Sequence, residues 1–93
     1  MKERLNIKVI ERVNEFTEDF LSDADGILDK KTIELIAIGV SVCVNCVPCT
    51  DFHIEEAMKN GATKEEINKV FKIIMAVNTG KIKVFSRDLK TEF

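Results

Sequence analysis

Three cysteines, the only histidine and an isolated carboxylate lie within twenty positions, from Glu34 to His53. Inside this stretch, Cys46 and Cys49 form a C-x-x-C pair next to the only proline, Pro48. Residues three apart in the first turn of a helix have Cα atoms about 5–6 Å apart, within the range that a disulfide requires. The pair can therefore open and close without refolding the chain, and thiol redox chemistry is the first interpretation.

His53 is placed to move a proton in such chemistry. It follows Cys49 by four residues and Cys46 by seven, so the three side chains share one stripe of a helix. An imidazole one turn after Cys49 can take the thiol proton, and a helix N-terminus stabilises a thiolate. A single histidine on a half-apolar face is more often structural, but beside a C-x-x-C at this spacing we favour the proton-transfer role.

Glu34 is the only charged residue between Lys31 and Asp51. If its helix is buried, this carboxyl group could exchange protons with a thiol or an imidazole. Alternatively, Glu34 lies in an exposed first turn and is held by Lys30 or Lys31. The sequence leaves both interpretations open.

Cys43 adds a metal-binding alternative, because Cys43, Cys46, Cys49 and His53 also fit a C-x2-C-x2-C-x3-H pattern. In one continuous helix, Cys43 and His53 would be about 15 Å apart, too far to share an ion. We therefore expect no metal, and we interpret Cys43 as a small buried hydrophobic residue.

Size and composition point to one small domain spanning residues 1–93. The chain is 45% hydrophobic, more than a lone domain of this size needs, which predicts a homo-oligomer. The net charge of −2 is spread evenly, so nucleic acid and anionic membranes are not expected partners. The start of the sequence does not resemble a signal peptide, and we expect a cytoplasmic protein in which a C-x-x-C is catalytic rather than structural.

The elements around the motif are mostly helical in pattern. Apolar residues recur at helical spacing from Leu5 to Leu21, and Asp29 can cap a second helix near Lys30. From residue 36 to 44, branched residues alternate with small ones, which favours a buried strand, although a helix fits the composition equally well.

The rest of the chain predicts three further helices. One begins near Cys46 and ends at Asn60-Gly61, and Thr63 with Glu66 forms a capping box for the next. Asn78-Thr79-Gly80 interrupts the pattern, so we expect a last short helix over Ile82, Phe85 and Leu89.

The reactive residues resemble a known family. Glu34, Cys46, Cys49 and His53 fit the E-x11-C-x2-C-x3-H pattern of the alkyl hydroperoxidase D-like proteins in the carboxymuconolactone decarboxylase superfamily. The resemblance extends from Asp29 to Phe85 and includes the runs K-K-T-I-E-L-I-A-I-G-V and H-I-E-E-A-M-K-N-G-A-T-K-E-E-I. It implies an all-α fold of about five helices, a helix instead of the strand, and assembly into trimers or hexamers.

The resemblance also implies roles for the four residues. Cys49 would attack a hydroperoxide or disulfide, Cys46 would donate a proton and close the disulfide, and Glu34 with His53 would relay protons. An external dithiol would reduce the pair, and no cofactor beyond this disulfide is implied. The family's peroxidases carry a second histidine where this chain has Pro48. The decarboxylases lack the cysteine pair, so decarboxylation is not implied.

Two alternatives compete with this reading. A thioredoxin-like fold would need strands after the C-x-x-C, whereas everything after Gly61 has a helical pattern. A non-catalytic helical oligomer, with a cysteine–histidine cluster that is structural or binds a metal, is the alternative from another functional class. The prediction is a small all-α oligomer that works as a thiol oxidoreductase.

Overall fold

The computed structural model describes residues 7–91 and consists of helices joined by short connections. The helices are α1 (Ile7–Phe20), α2 (Lys30–Cys43), α3 (Val47–Lys59) and α4 (Lys64–Asp88). No strand occurs in residues 7–91, which confirms the all-α prediction, whereas the expected five helices are four there. None of the helices in this range is both long enough and apolar enough to cross a membrane.

Helix α1 agrees with the amphipathic segment predicted over Leu5–Leu21, although Leu5 lies outside the described residues. Every side chain described in α1, from residue 11 to residue 20, is exposed. The rings of Phe16 and Phe20 pack on each other with centroids 4.0 Å apart. The apolar face of α1 is therefore formed but uncovered within the chain.

Helix α2 starts at the predicted cap, since the Asp29 side chain accepts a hydrogen bond from the Thr32 N–H at 2.8 Å. The segment that alternated like a strand is helical, as the family resemblance implied. Its buried residues are Glu34, Ala37, Ile38 and Ser41, which recur at helical spacing. Three of these four residues are small or polar. The alternation of large hydrophobic residues therefore predicted the two-residue period of a strand, whereas the buried residues follow the period of a helix.

The hydrophobic core is small and lies where α2, α3 and the start of α4 meet. Ile38 and Ala57 have no exposed surface, and Ala62 and Ile67 complete the buried cluster. The small side chain of Ala57 in α3 lets α2 approach closely. The partly buried residues packed on this cluster are Leu35, Ile54, Val70 and Phe71.

The boundary between α3 and α4 follows the prediction. Asn60 ends α3, Gly61 has a φ of 92°, and Thr63 and Glu66 make both hydrogen bonds of a capping box. The interruption predicted at residues 78–80 is wrong, because α4 continues to Asp88 and Thr79 Oγ1 donates to the Met75 carbonyl at 2.8 Å. One glycine costs a helix only about 1 kcal/mol relative to alanine, too little to end it here.

Candidate functional site

The turn between α2 and α3 brings the cysteine pair to the start of a helix. Asn45 has a φ of 58°, the left-handed conformation that commonly ends helices and that asparagine tolerates. The N–H of Asn45 donates to the Val42 carbonyl, and the N–H of Cys46 donates to the Ser41 carbonyl, both at 3.0 Å. The backbone of Cys46 therefore closes α2 just before α3 begins at Val47.

The side chain of Cys46 also caps α3. Its Sγ accepts a hydrogen bond from the Cys49 N–H at 3.2 Å. Cys46 and Cys49 form a disulfide with Cα atoms 5.2 Å apart, in the range predicted from their spacing. Cys46 is half-buried and Cys49 is exposed. Because an N–H group at a helix start favours a negative partner, this contact would stabilise a Cys46 thiolate whenever the disulfide is open.

Glu34 and His53 meet across the α2–α3 interface. Glu34 is 1% exposed, and its Oε1 lies 2.6 Å from His53 Nδ1. The other carboxylate oxygen, Oε2, lies 2.9 Å from the Nζ of Lys30. Both interpretations of Glu34 therefore contain part of the answer, because the carboxyl group is buried and is also paired with Lys30.

These contacts set the direction of the hydrogen bond to the imidazole. The Oε2 of Glu34 accepts from the Lys30 ammonium, and a carboxylate only accepts hydrogen bonds. In the neutral imidazole, Nδ1–H therefore donates to Glu34 and Nε2 keeps its lone pair, ready to accept a proton. A histidine that a buried carboxylate orients in this way is a suitable general base.

Two contacts of this site were not predicted from the sequence. Lys30 Nζ also donates to the Leu21 carbonyl at 2.7 Å, which ties the end of α1 to the start of α2. The ring of Phe52 packs edge-on against His53, with centroids 5.1 Å apart. The i,i+4 spacing of Lys30 and Glu34 is a local signal for an ion pair, but the sequence has no signal for the carbonyl of Leu21.

A cavity of about 290 Å³ opens beside Cys46, on one side of the disulfide. Its apolar wall includes Val42, Val47 and Phe71, and Cys46 lines it directly. Its polar lining residues are Asn45, Thr50 and Asp51, and Thr50 Oγ1 donates to the Cys46 carbonyl at 2.8 Å. The cavity offers space for a small organic group next to the disulfide.

Cys43 is separated from this site. It is exposed at the end of α2, which corrects its interpretation as a buried residue, and it lines a different cavity between α2 and α4. The break at Asn45 also means that Cys43 and His53 do not share one helix. No group of three or more metal-ligating side chains is brought together among residues 7–91. The structure thus joins Cys46 with Cys49 and Glu34 with His53, but leaves Cys43 outside.

Comparisons with known proteins identify a family and one relative of this chain. The sequence profile of the carboxymuconolactone decarboxylase family matches residues 8–84. A Paracoccus denitrificans protein, described as uncharacterized protein 4 in the cox locus, is 37% identical over 57 residues. That match covers 61% of this chain and 51% of the relative, so the chain spans about half of that protein's length. No solved structure matches the chain.

Proposed function

The chain belongs to the carboxymuconolactone decarboxylase family, and from that premise we propose that it is a thiol-dependent oxidoreductase that reduces hydroperoxides or disulfides. One observation carries the proposal. The start of α3 holds the Cys46–Cys49 disulfide. His53 lies one turn later in the same helix, and the buried carboxylate of Glu34 in α2 orients its ring. Family members known as alkyl hydroperoxidases use this set of residue types, whereas the decarboxylases lack the cysteine pair.

The first step uses Cys49, because its exposure lets a substrate reach the sulfur. His53 Nε2 accepts the thiol proton, and the Cys49 thiolate attacks the outer oxygen of a hydroperoxide. The O–O bond breaks, Cys49 becomes a sulfenic acid, and the alkoxide leaves as an alcohol after it takes the proton that His53 accepted. The substrate gains two electrons and the sulfur loses two.

The second step closes the disulfide. The Cys46 sulfur attacks the Cys49 sulfenic acid, the S–O bond breaks, and water leaves. With a disulfide as substrate, Cys49 would form a mixed disulfide instead, and Cys46 would displace the second thiol. The Cα separation of 5.2 Å lets this bond form without rearranging the backbone.

The final step returns the electrons. A thiolate of an external dithiol attacks the exposed Cys49 sulfur, and Cys46 leaves as a thiolate held by the Cys49 N–H. The second thiol of the donor then releases Cys49 and becomes the donor's own disulfide. A better-stabilised thiolate is a better leaving group, so the cap on Cys46 favours this direction of attack.

The proposal includes assembly and location. The exposed apolar residues of α1, α2 and α4 support a homo-oligomer, and the family resemblance favours a trimer or hexamer. We place the protein in the cytoplasm, where an external dithiol can keep the pair reduced between turnovers. The redox-active disulfide itself is the only redox centre that the mechanism requires.

The proposal is tested by treating the reduced protein with one equivalent of cumene hydroperoxide or of a small dialkyl disulfide, followed by intact mass and peptide mapping. The wild type should form the Cys46–Cys49 disulfide. Cys46→Ser should stop at a sulfenic acid or mixed disulfide on Cys49, and Cys49→Ser should lose turnover with a dithiol donor. Cys43→Ser is the matched control and should keep the wild-type rate.

Full activity in both Cys46→Ser and Cys49→Ser would overturn the assignment. So would a reduced pair that reacts with neither oxidant, which would support the non-catalytic alternative. Thiol titration with and without a chelator completes the test, because a tightly bound metal would mask thiols until the chelator removes it.

A further inference from the structure

The protomer exposes far more surface than a folded chain of its size normally does. Its accessible surface is 7950 Å², and a folded monomer of 10.5 kDa is expected to expose about 5,400 Å². Its radius of gyration is 17.6 Å, against about 12 Å for a compact domain of this length. The surplus of roughly 2,500 Å² exceeds the ~800 Å² that each partner buries in a standard interface.

One part of this surplus is the apolar face of α1. Val13, Phe16 and Phe20 are 53%, 59% and 69% exposed and lie three and four residues apart on one side of the helix. A fourteen-residue helix has little stability in water by itself. This face therefore requires an apolar surface to pack against.

A second part is an uncovered apolar groove between α2 and α4, lined by Ile36, Gly39, Val40, Ile73, Ile74 and Val77. Two cavities of about 370 and 260 Å³ share four of these residues and so form one continuous depression. Gly39 forms part of its floor, where a Cβ atom would meet only Val70 Cγ1, at 3.7 Å. The groove has the shape and apolar lining that a helix face needs.

The groove and α1 match in length and in charge. The α2 side of the groove runs from Thr32 to Val44, about 18 Å, and α1 is about 21 Å long. Helix α1 carries four acidic and two basic residues, whereas α4 carries six basic and three acidic residues. Opposite charge on the two elements favours their docking in one orientation.

Helix α1 of the same chain is tied at its C-terminal end to the start of α2. Lys30 holds the Leu21 carbonyl at 2.7 Å, and the connection to α2 is folded by hydrogen bonds from Gly26 N–H to the Asp23 carbonyl and from Ile27 N–H to Asp25 Oδ1. No described residue of α1 lines either cavity. The groove is therefore open to α1 of another molecule.

We propose that α1 of a second copy of this chain occupies the α2–α4 groove, with Val13, Phe16 and Phe20 against Ile36, Val40 and Ile73. This inference rests on the homo-oligomer in the proposed function and names the surfaces that form it. It has one further consequence, because Cys43 lines the same groove and becomes covered when the helix docks. Assembly thus protects the thiol that the redox cycle does not use.

The test uses two full-length variants that damage opposite partners of the contact. Phe16→Asp disables the helix and leaves the groove intact, whereas Ile73→Asp disables the groove and leaves the helix intact. Each should weaken self-association about 30-fold or more, the loss typical of a buried anchor residue. Sedimentation of each variant alone should approach the 10.5 kDa protomer.

The decisive measurement is a mixture of the two variants. The helix of Ile73→Asp still fits the groove of Phe16→Asp, so the mixture should regain a complex that contains both chains. The matched control is Met75→Asp, which changes a 60% exposed residue of α4 that does not line the groove and should keep the wild-type mass. The Cys43 thiol should react faster with a maleimide in each single variant and slow again in the mixture.

Circular dichroism checks that the aspartate variants keep their helices, and Gly39→Phe gives a second test without added charge, because its ring fills the groove. An oligomer that survives Phe16→Asp and Gly39→Phe would overturn the inference while leaving the proposed assembly intact. A wild-type chain that stays monomeric at every concentration would overturn both. Complexes that fail to form in the mixture would also reject helix exchange, since an interface elsewhere gives no complementation.

Discussion

Helices α1 and α2 are equal in length, but the sequence pattern predicts the buried residues of neither helix correctly. Each has fourteen residues. Helix α1 has the regular amphipathic pattern, yet all its described side chains are exposed. Helix α2 has a pattern that resembles a strand, yet it supplies Ile38 to the core and Glu34 to the candidate site.

The difference shows what each pattern reports. In α1, large apolar residues form one face, and that face is exposed. In α2, the face toward α3 is made of Ala37, Ser41 and Glu34 around a single Ile38, which allows close helix packing and a buried charge. The bulky residues of α2, such as Ile36 and Val40, face outward. Periodicity therefore reveals a surface for contact but does not say whether the same chain covers it.

The largest expected effect is a difference in the free energy of unfolding between a substitution in α2 and a substitution in α1. Ile38→Ala removes a fully buried side chain and should lower the free energy of unfolding by about 2–5 kcal/mol. Val13→Ala, which trims an exposed side chain of α1, should change it by less than about 0.5 kcal/mol at concentrations where the protein is monomeric. Urea denaturation monitored by circular dichroism measures both, and equal losses would contradict the comparison.

The next effect compares a glutamate of α2 with a glutamate of α1 by the rate at which Cys49 is oxidised. Glu34→Gln removes the anion that orients His53 and should slow oxidation of Cys49 by cumene hydroperoxide at pH 7 by about a hundredfold, within the range of general acid–base catalysis. Glu15→Gln in α1 should leave the rate unchanged. Stopped-flow rates across pH provide the measurement, and a pH profile that Glu34→Gln does not alter would remove the relay role.

A smaller effect separates two adjacent lysines of α2. Lys30→Met leaves the buried Glu34 with one partner fewer and should cost about 1–2 kcal/mol of stability, the usual cost of leaving a buried acceptor short of a donor. Lys31→Met breaks a partly exposed pair with Glu66 at 2.9 Å and should cost less than about 1 kcal/mol. Thermal unfolding of the two variants gives the difference directly, and a reversed order would mean that the Lys30 contact does not support the site.

The smallest effect concerns pH and the start of α2. Hydrogen bonding by Thr32, through its side chain and then its backbone N–H, holds the pKa of Asp29 below its usual range. A lowered folded-state pKa adds stability that is fully present above the unfolded pKa, about 4, and is lost as the pH falls through the folded value.

Asp29→Asn keeps a good N-cap but cannot titrate, so the loss of stability between about pH 5 and pH 2 should be shallower than in the wild type. Asp19→Asn, an exposed change in the last turns of α1, serves as the control and should leave the slope unchanged. Denaturant midpoints measured across this pH range test the prediction. Equal slopes in the wild type and Asp29→Asn would show that the cap carries no charge-dependent stability.

Local signals predicted much of the fold. Asp29, Asn60-Gly61 and the Thr63–Glu66 capping box fix helix ends through hydrogen bonds within a few residues, and all three occur as expected. Signals that depend on what covers a surface failed. The strand-like alternation misjudged the buried face of α2. The polar run at residues 78–80 does not end α4, because one glycine within a long helix costs little.

The candidate site was predictable in its members but not in all of its contacts. The disulfide and the shared region of Glu34 and His53 follow from spacing and from the family pattern. The double role of Cys46 depends on the turn at Asn45, which joins α2 to α3. The contact of Lys30 with Leu21 depends on the path of the connection between α1 and α2, and the exposure of Cys43 depends on what covers the end of α2.

Because the turn at Asn45 has a fixed left-handed geometry, the number of residues between Glu34 and His53 determines whether the two side chains face each other. Inserting or deleting one residue on either side of the turn would rotate one helix by about 100° relative to the other and carry the imidazole away from the carboxylate. Length changes in this interval are therefore far more damaging than most substitutions. At position 45 itself, only glycine, asparagine and aspartate fit readily, because other side chains cost roughly 1–2 kcal/mol in this conformation.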